Sequence, residues 1–148
     1  LPYDEAGVDN EQIKRWQDRL NTGMKKLFSA GINGEMISIE TLDYPLNWVD
    51  EILTDFNLSV CIDVGHLMVY GFDPEAVFNK YKKRTPILHL HGVADHQDHL
   101  PLDRLTKAEA KTVIKLLKQF DGVVSLEVFS FDHLKASLNF LENNQDRL

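Results

Sequence analysis

The sequence predicts an α/β fold in which parallel strands alternate with helices. Apolar segments of strand length recur four times, and each is followed by helical periodicity or by helix-capping residues. Within each of these strands, apolar and small or polar side chains alternate, so that one face is apolar and the other carries polar groups. Alternating strands and helices are typical of a parallel sheet covered by helices.

The elements are predicted in order along the chain. A helix begins at Asp9 or Asn10 and runs to about Ala30, because apolar residues recur there at steps of three and four. Strands are predicted at residues 36–40, 58–63, 87–91 and 123–129. Helix starts are predicted at Pro45, at Asp73 with Pro74, at Thr106 with Glu109 as a capping box, and at Asp132.

The polar face of the predicted sheet carries an ionisable side chain at the C-terminal end of every strand. These residues are Glu40, Asp63, His89 and Glu127. Active sites of βα barrels lie at that end of the strands, and the opposite, apolar face should pack on the helices. Ionisable groups are costly to bury without partners, and one cation would neutralise the carboxylates while using the imidazole lone pair. The sequence therefore predicts a divalent-metal site.

Further candidate ligands follow the second and third strands. His66 follows Asp63 through Gly65, and the glycine lets the histidine return toward the aspartate. His99 and one of Asp95 or Asp98 are expected to add ligands from the loop after strand three, while the roles of His91 and His96 stay open. The alternative is that the loop histidines are solvated and the strand pair, His89 and His91, is hydrogen-bonded within the core.

Composition limits the classes of function. The chain has 148 residues and a net charge of −7, which disfavours a nucleic-acid partner. No apolar run approaches ~20 residues, so no membrane span is expected. The single cysteine, Cys61, excludes an internal disulfide and fits a reducing compartment, so we expect a cytoplasmic protein.

Residues 36–129 contain, in order, the motifs ISIET, CIDVGH, LHLHG with its DH loop, and SLEV. In these motifs the chain resembles the xylose isomerase-like TIM-barrel superfamily, which contains AP endonuclease family 2 enzymes and sugar isomerases and epimerases. The resemblance implies that the chain is the C-terminal half of a (β/α)8 barrel, strands five to eight, and that residues 1–148 form one partial domain. It also implies a metal set of Glu40, Asp63, His66, His89, His99 and Glu127, in which Glu40 and Glu127 are catalytic.

Three functions follow from this resemblance. The phrases ETLDYP, DVGHL and HLHGV are similar to those of cobamide-remodelling hydrolases, which implies a metal-dependent hydrolase acting on a phosphoester or phosphoribosyl linkage. Its cofactor would be Zn, Mn or Mg, with more than one ion favoured by the additional Asp and His residues. The alternatives are a divalent-metal sugar isomerase or epimerase and a noncatalytic half-barrel fragment. Two departures from the patterns of the superfamily bear on the choice between hydrolase and epimerase. The loop after the third strand has no arginine before Arg104, and Gln97 stands where the nuclease pattern has aspartate.

Four strands are too few to close a barrel. A full barrel needs about twice this length, and a half barrel leaves two unpaired sheet edges. We therefore expect either a homodimer or a missing N-terminal half-barrel, with a corrinoid or a sugar as the small-molecule substrate.

Overall fold

A four-stranded parallel sheet forms the centre of the computed structural model, which describes residues 9–144. The strands are β1 (Ser38–Glu40), β2 (Ser59–Asp63), β3 (Ile87–Leu90), β4 (Gly92–Ala94), β5 (Gln97–Leu100) and β6 (Val123–Leu126). The parallel sheet has the order β1, β2, β3, β6, and β4 pairs with β5 in a separate antiparallel hairpin. The predicted α/β fold with parallel strands is confirmed, whereas its assignment to strands five to eight of a barrel stays a prediction. Residues 1–8 and 145–148 of the predicted domain lie outside the described part.

Within residues 9–144, six α-helices connect and cover these strands. They are α1 (Asn10–Ser29), α2 (Asp50–Asp55), α3 (Val64–Val69), α4 (Pro74–Tyr81), α5 (Lys107–Leu117) and α6 (Phe131–Asn143). The predicted caps at Asp9, at Asp73 and in the Thr106–Glu109 capping box are confirmed. Each places a side-chain oxygen on backbone N–H groups that the first helical turn leaves without a partner.

Several predicted boundaries were wrong. The last helix is capped by Ser130, whose Oγ accepts the His133 backbone N–H, and Asp132 lies within the first turn. The segment after Pro45 begins as a 3₁₀ turn, Leu46–Val49, and becomes α-helical only at Asp50. The fourth predicted strand ends at Leu126, three residues early. Helix and strand ends depend on non-local packing, so a predicted end can differ from the observed one by a few residues.

Two features that shape the site were missed by the sequence analysis. The turn expected after β2 is α3, which begins at once because the Asp63 carboxylate accepts the His66 backbone N–H. The loop expected after β3 is the β4–β5 hairpin. Its two turn residues, Asp95 and His96, have φ angles of 51° and 62°, as a tight turn of this kind requires.

The hairpin contains a bulge at Asp98 and His99. Gly92 pairs with Leu100 and Ala94 with Gln97, so that two residues of β5 lie opposite one residue of β4. His99 has a φ angle of 55°, outside the extended region. A bulge breaks the alternation of side chains between the two faces of a strand, so Asp98 and His99 need not point in opposite directions.

The apolar face of the sheet forms the core. Val60, Ile62 and Leu88 are fully buried there and pack with helix residues that include Leu53 and Phe78. Val124 departs from the expectation for this face, because it stays 38% exposed on the outermost strand β6. No helix among residues 9–144 is long and apolar enough to cross a membrane.

The Gly92→Ala substitution should destabilise the protein. A Cβ at residue 92 would lie 2.0 Å from the Pro101 carbonyl oxygen, a backbone atom that moves only if the hairpin shifts. We expect a loss of about 1–3 kcal/mol in the free energy of unfolding, measured by urea denaturation. Gly23→Ala is the control, since its Cβ meets nothing within 4 Å in the middle of α1 and should stabilise by about 0.5–1 kcal/mol. Equal midpoints for the two variants would contradict the argument.

Candidate metal centre

Four ionisable side chains meet at the C-terminal ends of β1, β2, β3 and β6. One ligand atom from each of Glu40, Asp63, His89 and Glu127 lies within 4.8 Å of all the others. His89 Nδ1 is 3.1 Å from Glu40 Oε1, 3.1 Å from Glu127 Oε2 and 3.9 Å from Asp63 Oδ2. The structure thus brings together the four residues that strand alternation placed on one face, here called the metal centre.

The strand register explains how the four side chains converge. Asp63 pairs with His89, and His89 with Ser125, so these residues share one level of the sheet. Glu40 pairs with Cys61, two residues before that level, and Glu127 follows two residues after Ser125. The two glutamates therefore lie at the C-terminal ends of the two outermost strands, Glu40 within β1 and Glu127 directly after β6, and approach His89 from different levels.

Two carboxylate oxygens at the centre lack a hydrogen-bond partner among the described residues. They are Asp63 Oδ2 and Glu127 Oε2, and both are buried. A buried carboxylate oxygen without a donor is costly. A divalent cation held by these oxygens, Glu40 and His89 would satisfy both, and a set of one imidazole and three carboxylates suits Zn or Mn. The residues present therefore fit a divalent metal.

The Asp63 carboxyl is kept ionised by its neighbours. Burial raises its pKa, but contact with His91 and the hydrogen bond from the His66 backbone N–H outweigh burial and lower it.

The thiol of Cys61, in contrast, is kept protonated. Burial, reinforced by Glu40, raises the pKa of its thiol to about 12. Its sulfur lies near Glu40 and His89, but a protonated thiol is a poor ligand compared with the three carboxylates.

His66 and His99 adjoin the centre, as the sequence predicted. His66 Nδ1 lies 3.4 Å from Asp63 Oδ2 and 3.9 Å from Glu40 Oε1, and His99 Nε2 lies 4.0 Å from Glu127 Oε2. Asp98 joins them, with one oxygen 3.9 Å from His66 Nε2 and the other 3.2 Å from His99 Nδ1. Their role as ligands stays a prediction.

Asp95 and His96 lie elsewhere. Both are exposed at the hairpin turn and line a cavity of about 410 Å³ together with Arg104. None of the residues that line this cavity belongs to the metal centre. Of the two aspartates left open by the sequence, the structure therefore places Asp98 against the histidines that adjoin the centre and leaves Asp95 at the separate cavity.

Three histidines, His66, His91 and His99, form a second cluster with nitrogens within 4.8 Å of one another. The rings of His91 and His99 are stacked, with centroids 4.4 Å apart and planes 22° apart. An imidazole lone pair lies in the plane of its ring, and a zinc–nitrogen bond is about 2.0–2.1 Å long. Nearly parallel rings at this separation do not direct their lone pairs onto one ion, so this cluster is not a three-histidine metal site in this arrangement.

Thr41 supports the centre and was missed by sequence reasoning. It is 1% exposed, and its hydroxyl accepts the Asp63 backbone N–H at 2.8 Å while lying 3.2 Å from the Asp63 carbonyl oxygen. These contacts fix the end of β2 against the residue that follows β1. The only signal in the sequence was its position directly after Glu40.

Comparisons with known proteins agree with the fold. A family model described as xylose isomerase-like TIM barrel matches residues 2–144. No curated protein sequence matches the chain. Among solved structures, the chain is similar to a probable 3-DHS dehydratase, AsbF, involved in petrobactin synthesis from Bacillus anthracis, with a TM-score of 0.66, 17% identity, and coverage of 93% of this chain and 59% of that one.

Two further solved structures are similar. A D-tagatose 3-epimerase-like protein gives a TM-score of 0.65 and 19% identity, over 99% of this chain and 61% of that one. The IOLI protein, whose structure holds a zinc atom, gives a TM-score of 0.58 and 19% identity, over 99% of this chain and 58% of that one. At these identities the likeness shows the fold alone. The chain spans about three fifths of the length of each of these three structures.

Divalent metal should stabilise the protein through Glu40. At 100 times the Kd of Zn²⁺ or Mn²⁺, the free energy of unfolding should rise by ~2.7 kcal/mol, measured by urea denaturation with and without the ion. Glu40→Gln should bind more weakly and lose most of this gain at the same concentration. Glu35→Gln is the matched control, since Glu35 is exposed just before the opposite end of β1. Equal gains in both variants would contradict the assignment.

Proposed function

Since the chain belongs to the xylose isomerase-like TIM barrel family, we propose that it is part of a divalent-metal isomerase or epimerase that moves a proton at a carbon of a small sugar-like substrate. The observation that carries this proposal is the metal centre itself, in which two glutamates, Glu40 at the end of β1 and Glu127 directly after β6, meet His89 and Asp63. Similar solved structures include an epimerase-like protein and a probable dehydratase. Proton removal from a carbon beside a carbonyl is a step that such reactions can share.

The two glutamates would exchange the proton with the substrate. The side chains of Glu40 and Glu127 are 34% and 32% exposed, so both can reach a bound molecule, whereas Asp63 is fully buried and serves only to hold the centre. One glutamate would accept the proton, and the other would return one from a different level of the site. The bound divalent ion would polarise the substrate oxygen and thereby acidify the neighbouring C–H bond.

Removing either glutamate charge should abolish most of the activity. Glu127→Gln and Glu40→Gln keep the side-chain shape but remove the base, and each should lower kcat by roughly 10²–10⁴. The measurement is epimerisation of a panel of ketoses, with deuterium incorporation from heavy water at the reacting carbon. Glu35→Gln should match the wild type. Unchanged turnover in Glu127→Gln on a true substrate would rule out its role.

A metal-dependent hydrolase is the second candidate. His99 adjoins Glu127 of the centre and Asp98 contacts His66 and His99 beside it, whereas Arg104 lines the separate cavity. Additional ligand-type side chains, with no arginine beside them to bind a substrate, favour a site with two or three metal ions. Such ions would activate water and stabilise developing oxyanions. The substrate would carry a phosphoester or phosphoribosyl linkage, such as that of a cobamide. One bound ion per chain by elemental analysis favours the epimerase, and two or three with hydrolysis of a corrinoid favour the hydrolase.

The sheet also supports a proposal about assembly. In the described part of the chain, β1 and β6 each pair with a strand on one side only. Met36, Val123 and Phe129 lie in or next to these edge strands and are 77%, 63% and 79% exposed. Unpaired edges and exposed apolar side chains favour a partner surface, either a preceding half-barrel of a longer protein or a second copy.

Light scattering of the 148-residue chain tests the second copy. Joining edge to edge would cover both outer strands, so we expect a dimer of 17.0 kDa chains. Near-ultraviolet circular dichroism serves as the control for folded packing. A well-packed monomer would contradict pairing, and a monomer without metal binding or turnover would support a noncatalytic fragment.

A further inference from the structure

We propose that His91 is a positioning residue of the metal centre, which holds Asp63 in its ligating orientation and fastens the β4–β5 hairpin to the same carboxylate. The proposal rests on the metal centre of the proposed function. It does not depend on which reaction the centre carries out.

His91 is enclosed on every side. It is 1% exposed and lies directly after β3, on the same sheet face as His89. One side of its ring packs against Gly65 in the first turn of α3, where an added Cβ would lie 2.1 Å from His91 Cε1. On another side lies the ring of His99. Gly65, two residues after Asp63, is therefore needed for the close approach of α3 to this ring.

The backbone of the hairpin fixes the tautomer of His91. The His99 backbone N–H donates to His91 Nδ1 at 2.9 Å. A nitrogen that accepts this bond carries no proton, so it cannot also donate to the Gly92 carbonyl oxygen 3.2 Å away. The neutral ring must then carry its proton on Nε2.

The Nε2 proton has Asp63 as its neighbour. Nε2 lies 3.0 Å from Asp63 Oδ1, a close polar contact that falls outside regular hydrogen-bond geometry, and it has no hydrogen bond to any described residue. Asp63 Oδ1 also accepts the His66 backbone N–H at 2.8 Å. The His66 N–H and the close contact with His91 Nε2 therefore occupy Oδ1, and they leave Oδ2, the oxygen without a partner, on the side of His89.

His91 thus connects two parts of the site that are distant in sequence. One nitrogen orients the carboxylate of Asp63, and the other holds the backbone of His99, whose side chain adjoins Glu127. Groups that orient metal ligands in this way typically contribute 10- to 100-fold to metal affinity. Loss of His91 should therefore weaken metal binding even though His91 contacts no ion.

Two conservative variants separate the two contacts. His91→Gln places an amide nitrogen near the position of Nε2, so it keeps a donor for Asp63 but loses the acceptor for the His99 N–H. His91→Asn places an amide oxygen near the position of Nδ1, so it keeps the hairpin acceptor but loses the Asp63 contact. His96→Gln and His96→Asn are the controls, because His96 is exposed at the turn of the same hairpin.

The first measurement is titration with Co²⁺, followed by its visible absorption, on proteins shown to be folded by circular dichroism. His91→Asn should bind Co²⁺ 10- to 100-fold more weakly than the wild type, and His91→Gln should stay within about threefold, by rescue of the Asp63 contact. Both His96 variants should match the wild type. A folded His91→Asn protein with wild-type affinity would overturn the proposal, as would a 10- to 100-fold loss in His91→Gln.

The second measurement needs no metal. Imidazole ¹⁵N NMR of the metal-free protein at neutral pH should show His91 with a proton on Nε2 and none on Nδ1, and a ring protonated on Nδ1 would overturn the assignment.

Failure of the metal centre and failure of the role of His91 give different results. A wild-type chain that binds no Co²⁺ refutes the metal centre and this inference with it. Equal affinity in the wild type and a folded His91→Asn refutes the role of His91 alone.

Discussion

The buried carboxylate of Asp63 is the interaction on which the rest of the site depends. Its side chain is fully buried at the end of β2, where an ionised group is tolerated only if several partners compensate its charge. Thr41 holds its backbone, and the His66 backbone N–H holds one side-chain oxygen, so the same residue ends the strand and caps α3. The fold thereby commits one oxygen to the protein and leaves the other for the metal centre.

The arrangement around Asp63 is a balance between stability and function. Three carboxylates within 4.8 Å of one another repel, and two of their oxygens have no donor in the described part of the chain. A fold selected for stability alone would avoid such a cluster, and departures of this kind concentrate at functional sites. The opposite, apolar face of the same strands is fully buried at Val60, Ile62 and Leu88, and that packing offsets the cost of the polar rim.

The hairpin after β3 divides one histidine- and aspartate-rich segment into two environments. Its bulge brings His99 beside Glu127 and Asp98 beside His66 and His99, while its tight turn leaves Asp95 and His96 exposed at a separate cavity with Arg104. The residues are adjacent in sequence and similar in chemistry, so only backbone geometry separates them. This division bears on the reaction, because it places additional ligand-type groups at the centre and the arginine away from it.

The sequence by itself determined the α/β class, with helices alternating along the chain with parallel strands, and the caps at Asp9, Asp73 and Thr106. It also determined that Glu40, Asp63, His89 and Glu127 share one face of the sheet. These follow from alternation and capping, which are local properties of the chain. The hydrolase activity, the likeness to cobamide-remodelling enzymes and the ligand roles stay predictions. Only the tertiary structure decided the helix at residue 64, the bulged hairpin, the cap at Ser130, and the parts played by Thr41 and His91. Those depend on contacts between segments far apart in sequence, and no local pattern records which backbone N–H a buried imidazole will accept.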